Sequence, residues 1–241
     1  MIRRWQPILI SAVLAAAVSS FGATVYNDAT GDTFTGAGGG ILDIVSVEVA
    51  NTATDLSFTF TLVGDVVATD WGKYMVGIDT GAGGDTASNG WARPISMNPA
   101  GMDYWLGSWV DSGNGAEQYK WGGASWSLIE ATYNAPPNNL ISIAKTTNTV
   151  KVTVPLANLG LGVGSSFNFD AYTSGGGGGD SAVDALSSST PSITDWPGPY
   201  NSPGDTGLRT YTVTAIPEPV TLGLLGIGAL AIGLGCRRRR N

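Results

Sequence analysis

The chain has 241 residues, enough for one large domain or two small ones, with 35 glycines, 13% charged residues and no histidine. Its one cysteine, Cys236, excludes an intrachain disulfide, and without histidine there is no Ser-His-Asp triad, Cys-His dyad or His-ligated zinc. The formal charge of −7 conceals basic ends (Arg3, Arg4, Arg237, Arg238, Arg239, Arg240) around a stretch with six Lys/Arg against eighteen Asp/Glu, which repels phosphate backbones and removes nucleic acid as a partner.

Residues 1–23 have the three parts of a secretory signal peptide. Arg3 and Arg4 give a positive start, and residues 8–18 an apolar run of about eleven residues, too short for a stable bilayer-spanning helix. Cleavage is expected between Ser19 and Ala23, because Ala17-Val18-Ser19 and Ser20-Phe21-Gly22 both satisfy a small-x-small rule. Trp5-Gln6-Pro7 does not continue a twin-arginine signal, so the general secretion machinery is the expected partner. The alternative is an uncleaved membrane anchor.

From residue 24 to 214 period-2 alternation recurs. Val45, Val47 and Val49 alternate with Ser46 and Glu48; Leu56, Phe58, Phe60 and Leu62 with Ser57, Thr59 and Thr61. Tyr74, Val76 and Ile78, then Val150, Val152 and Val154, then Phe167, Phe169 and Ala171, and finally Tyr211 and Val213 repeat the pattern. One apolar and one polar face per strand suits antiparallel sheets packed on one side. Residues 156–161, after Pro155, are the only expected helical turn. About ten short strands separated by turn residues predict an all-β fold, a jelly-roll-like antiparallel β-sandwich in one domain. Residues 174–207 are the exception, with five consecutive glycines at 175–179 that predict a mobile loop tip, while 182–186 and Trp196 are expected to pack back on the sandwich.

Aromatic residues crowd one region: Tyr104, Trp105, Trp109, Tyr119, Trp121, Trp126 and Tyr133. Flat rings stack on the apolar face of a sugar, so Trp105, Trp109, Trp121 and Trp126 are candidate ligand-binding residues. Trp105 and Trp109 would be the exposed pair if Tyr104 and Leu106 face inward. The competing reading is that these rings are core. Asp28, Asp32 and Asp43 are candidate calcium ligands, since hard oxygen donors suit that ion; the competing reading is turn-capping Asx residues. Residues 79–85 resemble a calcium loop only in part and lack the closing Glu of an EF-hand. No catalytic residue stands out among the acids, so the protein is expected not to be an enzyme. A small glycan-active enzyme working through two carboxylates is the third alternative.

The C-terminal stretch is the most informative. Pro217-Glu218-Pro219 precedes an uncharged run, 220–235, then Cys236 and the four arginines. At 1.5 Å per residue a helix over about 220–236 reaches roughly 25 Å, just short of a hydrocarbon core. Arg237, Arg238, Arg239 and Arg240 would stay cytoplasmic by the positive-inside effect, and the prolines would keep the peptide before the helix extended at the membrane surface. This order of elements over 215–241 resembles the PEP-CTERM sorting signal. The resemblance implies handling by an exosortase, cutting near Pro217, Glu218 and Pro219, an inner-membrane intermediate, and a mature protein at the cell surface or outside the cell, in exopolysaccharide or biofilm. A plain tail anchor is the alternative.

A second resemblance covers most of the body. Asn27-Asp28-Ala29-Thr30-Gly31-Asp32 leading into Leu42-Asp43-Ile44-Val45-Ser46-Val47, then Gly77-Ile78-Asp79-Thr80, Gly101-Met102-Asp103-Tyr104, Lys120-Trp121-Gly122-Gly123-Ala124-Ser125-Trp126 and Val154-Pro155-Leu156-Ala157-Asn158-Leu159-Gly160 before Phe167-Asn168-Phe169 resemble DOMON-like domains and family-nine carbohydrate-binding modules. That resemblance implies a jelly-roll-like sandwich of a kind that often binds sugars or calcium, so polysaccharide is an expected partner; no cofactor is expected, a structural calcium ion being the one alternative. The leading expectation is a non-enzymatic envelope or matrix protein, structural or adhesive. The alternative is a carbohydrate-binding module with a defined glycan.

Overall fold

The alternating segments form strands whose apolar faces meet. The structure is a computed structural model that describes residues 22–34, 36–81, 83–111 and 113–216. In chain order the strands are β1 (Gly22–Asn27), β2 (Ile44–Asn51), β3 (Asp55–Leu62), β4 (Lys73–Asp79), β5 (Ile95–Met97), β6 (Tyr104–Trp109), β7 (Gly115–Trp121), β8 (Trp126–Ala131), β9 (Ser142–Lys145), β10 (Thr149–Pro155), β11 (Ser166–Ser174), β12 (Asp184–Ala185), β13 (Tyr200–Ser202) and β14 (Arg209–Thr212). The expected signal helix and the transmembrane helix at about 220–236 lie outside the described residues.

The first sheet has the order β1-β2-β3-β10-β9, the second β12-β11-β4-β6-β7-β8 with β14 beside β12 on the free edge of β11. All pairs in both sheets are antiparallel and neither sheet closes on itself. The expected alternation sets the core. Val150, Val152 and Val154 of β10 stand opposite Phe60, Phe58 and Leu56 of β3, and all six are buried. Across the sandwich Phe58 packs edge-on against Phe169 of β11, ring centroids 5.5 Å apart, and Phe60 against Tyr74 of β4 at 5.7 Å. Each such ring buried is worth roughly 1.5–3 kcal/mol. At the start of β2 the register shifts between Ile44 and Ser46, so Ile44 rather than the expected Val45 takes the core position. A bulge inserts a residue and resets the period of two.

The second sheet departs from the one-faced expectation, because its outer face is covered too. In β4 the core-facing Tyr74, Val76 and Ile78 are buried, and so are Met75, Gly77 and Asp79 on the opposite face. The cover comes from residues 80–103 and 175–208, which meet in a parallel pair of short strands, β5 with β13. Residues 182–186 and Trp196 pack back as expected: Ala182, Val183, Ala185 and Leu186 are buried, and Trp196 lies edge-on to Phe34 at 5.1 Å. The glycine run is not a free tip. Arg93, itself buried, donates to Ser174 Oγ and to the backbone oxygens of Gly175, Gly177 and Asp180 at 2.8–3.2 Å. Among the described residues the only helical element is a 3-10 turn, Leu156–Leu159, at the expected place, closed by Gly160 with φ 66.

Candidate functional site

Two places concentrate chemistry. The first lies where the end of β1, the start of β2 and β12 converge. The loop after β1 carries Asp28 and Asp32, Asp43 immediately precedes β2, and Asp184 opens β12. Carboxylate oxygens of Asp32, Asp43 and Asp184 lie within 4.8 Å of one another, and all three residues are buried. Backbone pairing brings them there. β12 pairs with Tyr172 and Thr173, and the Thr173 hydroxyl donates to the Leu42 carbonyl at 2.5 Å. The Ile44 N–H donates to Asp184 Oδ2 at 2.7 Å, the Ala185 N–H to Asp184 Oδ1 at 2.8 Å, and the Gly31 N–H to Asp43 Oδ2 at 2.9 Å.

Four buried oxygens are left over: Asp28 Oδ2, both oxygens of Asp32, and Asp43 Oδ1 have no hydrogen-bond partner. Among the described residues the one ion pair, Lys73 with Asp111 at 3.1 Å, involves none of these acids. Burial, with repulsion from Asp32, pushes the Asp28 carboxyl up to about 7. Burial likewise raises Asp32 and Asp43, and lifts Asp184 well above the usual carboxylate range with help from the charge of Asp28. Buried unpaired carboxylates either hold protons or hold a cation.

The structure thus brings Asp32 and Asp43 together, sets Asp28 beside them, and adds Asp184, which the sequence reading lacked. Its one signal is a lone acid inside the buried run 181–188, distant in sequence from the other three. By contrast the acids of residues 79–85 serve turns. Asp79 Oδ1 accepts from the Gly81 N–H at 2.7 Å, and Asp85 Oδ1 from the Ala87 and Ser88 N–H groups at 2.8 and 3.1 Å.

The second place is the outer face of β6, β7 and β8. Trp105, Gly107 and Trp109 share that face, opposite Tyr119, Glu117 and Gly115. Tyr104 and Leu106 do face inward and Trp109 is half-buried, but Trp105 is fully buried, which corrects its expected exposure. Trp105 stacks on Tyr172 of β11, on the same face, at 5.8 Å and meets Trp91 of the covering segment 80–103 at 6.4 Å. Gly107 makes room for Trp91, since a Cβ there would sit 2.3 Å from the indole; Gly115 does the same for Trp109, at 2.0 Å. Glu117 ties the face together. It accepts from Trp91 Nε1 at 2.6 Å, from the Tyr119 hydroxyl at 3.2 Å, and from the Tyr133 hydroxyl, a bond that pushes Tyr133 up to about 12.

At one end of this face Trp109 and Tyr133, centroids 6.5 Å apart, border a groove of about 530 Å³ lined also by Asn114, Thr132, Asn139 and Ser142. Asn114 holds a left-handed backbone, φ 63, and its Oδ1 is buried without a partner. At the other end Trp121 and Trp126 form a cross-strand pair, centroids 5.7 Å apart and both half-buried, with Trp126 Nε1 donating to Asp85 Oδ2 at 2.9 Å. The four candidate tryptophans therefore divide: one is core, one lines a groove, and two pair on a hairpin. Trp91, Glu117 and Tyr133 were not singled out in the sequence as a set, because only the folded loops bring Trp91 and Tyr133 to Glu117.

The sorting residues Pro217, Glu218, Pro219, Arg237, Arg238, Arg239 and Arg240 lie outside the described residues. They fall within residues 215–240, which match the PEP-CTERM protein-sorting motif. The motif marks an exported protein sorted by an exosortase. A comparison with curated proteins finds no match.

Proposed function

We propose that this protein is a non-enzymatic component of the cell envelope or extracellular matrix, structural or adhesive, delivered through the inner membrane and freed of its tail by an exosortase. The observation that carries the reading is the sorting motif at 215–240, placed directly after a folded all-β body. A body lacking histidine and cysteine, with an acidic, hydroxyl-rich composition, supports a structural task over a catalytic one. The test is mass spectrometry of the protein in matrix and medium fractions of its host, with and without the exosortase. The expected result is a mature form lacking the residues after about Pro219, held in the exopolysaccharide fraction only when the enzyme is present. A form that keeps Arg237, Arg238, Arg239 and Arg240 in both strains overturns the sorting step; a tail-less form found only free in the medium overturns the matrix role.

A second reading, a carbohydrate-binding module with a defined glycan, is favoured by the Trp109–Tyr133 groove. Two ring faces beside amide and hydroxyl side chains suit stacking against a sugar and bonding of its hydroxyls. Glycan binding lost on substitution of these two rings tests it.

A further inference from the structure

We propose that Asp32, Asp43 and Asp184, with Asp28 beside them, hold one calcium ion that staples β12 and the excursion around it to the start of β2. The donor oxygens lie within 4.8 Å of one another, so small side-chain turns bring all three to the distance of about 2.3–2.6 Å that calcium prefers. Asp32 is the independent pointer. It is 6% exposed, one of its oxygens lies in the cluster, and both oxygens are buried with no hydrogen bond from any other residue. The orphan Oδ1 of Asp43 and Oδ2 of Asp28 complete a set of unused donors in one place.

The chemistry selects the ion. All donors are carboxylate oxygens, and the body contains neither histidine nor cysteine, so a soft or borderline metal has no ligand to prefer. Magnesium demands near-ideal octahedral geometry and keeps most of its waters, which a buried, carboxylate-rich, irregular site opposes; calcium accepts six to eight oxygens in flexible arrangements. The charge of Arg209 reaches Asp28, but its guanidinium donates to the Leu186 carbonyl at 2.9 Å and Thr206 Oγ1 at 3.1 Å, and among the described residues no ion pair involves any of the four acids. One cation does not balance four carboxylates.

The ion would join segments distant in sequence: the loop at 28–32, Asp43 ahead of β2, and Asp184 in the 174–207 excursion. Without it, the buried acids must take up protons or repel one another, and the tie between the excursion and β2 is weaker.

The exported protein is exhaustively chelated, then titrated calorimetrically with calcium chloride, and melted in calcium and in chelator. One ion per chain is expected, with a melting temperature about 5–10 °C higher at a hundredfold excess of calcium over its Kd. Asp32→Asn removes a ligand without removing a hydrogen bond to another residue. It should weaken calcium binding at least about 100-fold, while the metal-free variant melts no lower than the metal-free parent. No heat and no thermal shift with calcium overturns the proposal. So does calcium binding that survives Asp32→Asn unchanged, and so does magnesium binding as tight as calcium. A chelated protein as stable as the calcium-loaded one would mean that the acids simply share protons, and would overturn it as well.

Discussion

Trp105 and Trp109 lie two residues apart on one face of β6, yet have different tasks. Trp105 is fully buried, sandwiched between Tyr172 and Trp91, so Trp105→Ala should cost about 3–5 kcal/mol of stability through the cavity it leaves. Trp109 rests on Gly115 at the lip of the groove with Tyr133, which is 62% exposed. Trp109→Ala and Tyr133→Ala should cost about 1 kcal/mol or less in folding. If the groove takes a glycan, each should weaken retention on the host exopolysaccharide at least tenfold in affinity electrophoresis. A Trp109→Ala protein that migrates like the parent in every gel that retards the parent would end the sugar reading at this groove. The sequence made both rings visible, and even their shared face, but not which one is covered. The cover comes from Trp91, in the loop ahead of β5, and from Tyr172 on β11, and contacts between segments so far apart in the chain leave no periodic trace.

At the level of elements, the excursion after β11 is tied down by Asp170, a fully buried acid on the outer face of β11. It accepts from the Ala171 N–H at 2.9 Å, the Ser187 N–H at 3.0 Å, the Ser187 hydroxyl at 2.6 Å, and the Ser202 hydroxyl on β13. Burial outweighs these donors and pushes its carboxyl up from 3.8 to about 6. A folded-state pKa above the unfolded one means that the folded protein binds the proton more tightly. Its contribution to stability is therefore full below pH 3.8 and is lost as pH rises through about 6. A rise from 3.8 to about 6 corresponds to about 3 kcal/mol. Asp170→Asn keeps the shape and lets the amide face the two serine hydroxyls, which can turn to accept. The urea stability of the parent minus that of the variant should fall by up to about 3 kcal/mol between pH 4 and 7; a flat difference would refute the assignment. The strands of the first sheet were legible in the sequence, since Leu56, Phe58, Phe60 and Leu62 point one way and the polar residues between them point the other. The excursion was not, because its order comes from single long-range contacts: Asp170 with Ser187 and Ser202, Arg93 under the glycine run, Asp184 at Ile44. Such contacts have no period and join residues far apart in the chain.

Across the whole body its first strand and the segment after its last strand meet at one buried side chain. Asn51, at the end of β2, is 1% exposed. Its Oδ1 accepts from the Tyr211 hydroxyl at 2.7 Å and from the Thr214 N–H at 3.1 Å, and its Nδ2 donates to the Thr214 carbonyl at 3.0 Å. The Tyr211 hydroxyl shares its one proton between Asn51 and the Gly22 carbonyl, 2.8 Å away in the first residue of β1. β1 thus begins inside the expected signal segment 1–23, and of the two small-x-small sites, cleavage after Ser19 leaves this strand whole. The sorting motif starts at residue 215, next in sequence to Thr214. Asn51→Ala removes the two bonds to the Thr214 backbone and leaves the Tyr211 hydroxyl to Gly22 alone, at a cost of about 1–2 kcal/mol, since Thr214 is exposed and its N–H can turn to water. β1 is an edge strand paired only with β2, and β14 lies on the free edge of β11, so neither has a second neighbour to hold it. Hydrogen exchange in the variant should therefore accelerate together over 22–27 and 209–214, while β3 and β4, with partners on both sides, keep their protection. Acceleration at one end alone would mean that the two ends are held independently and that Asn51 is not the joint between them.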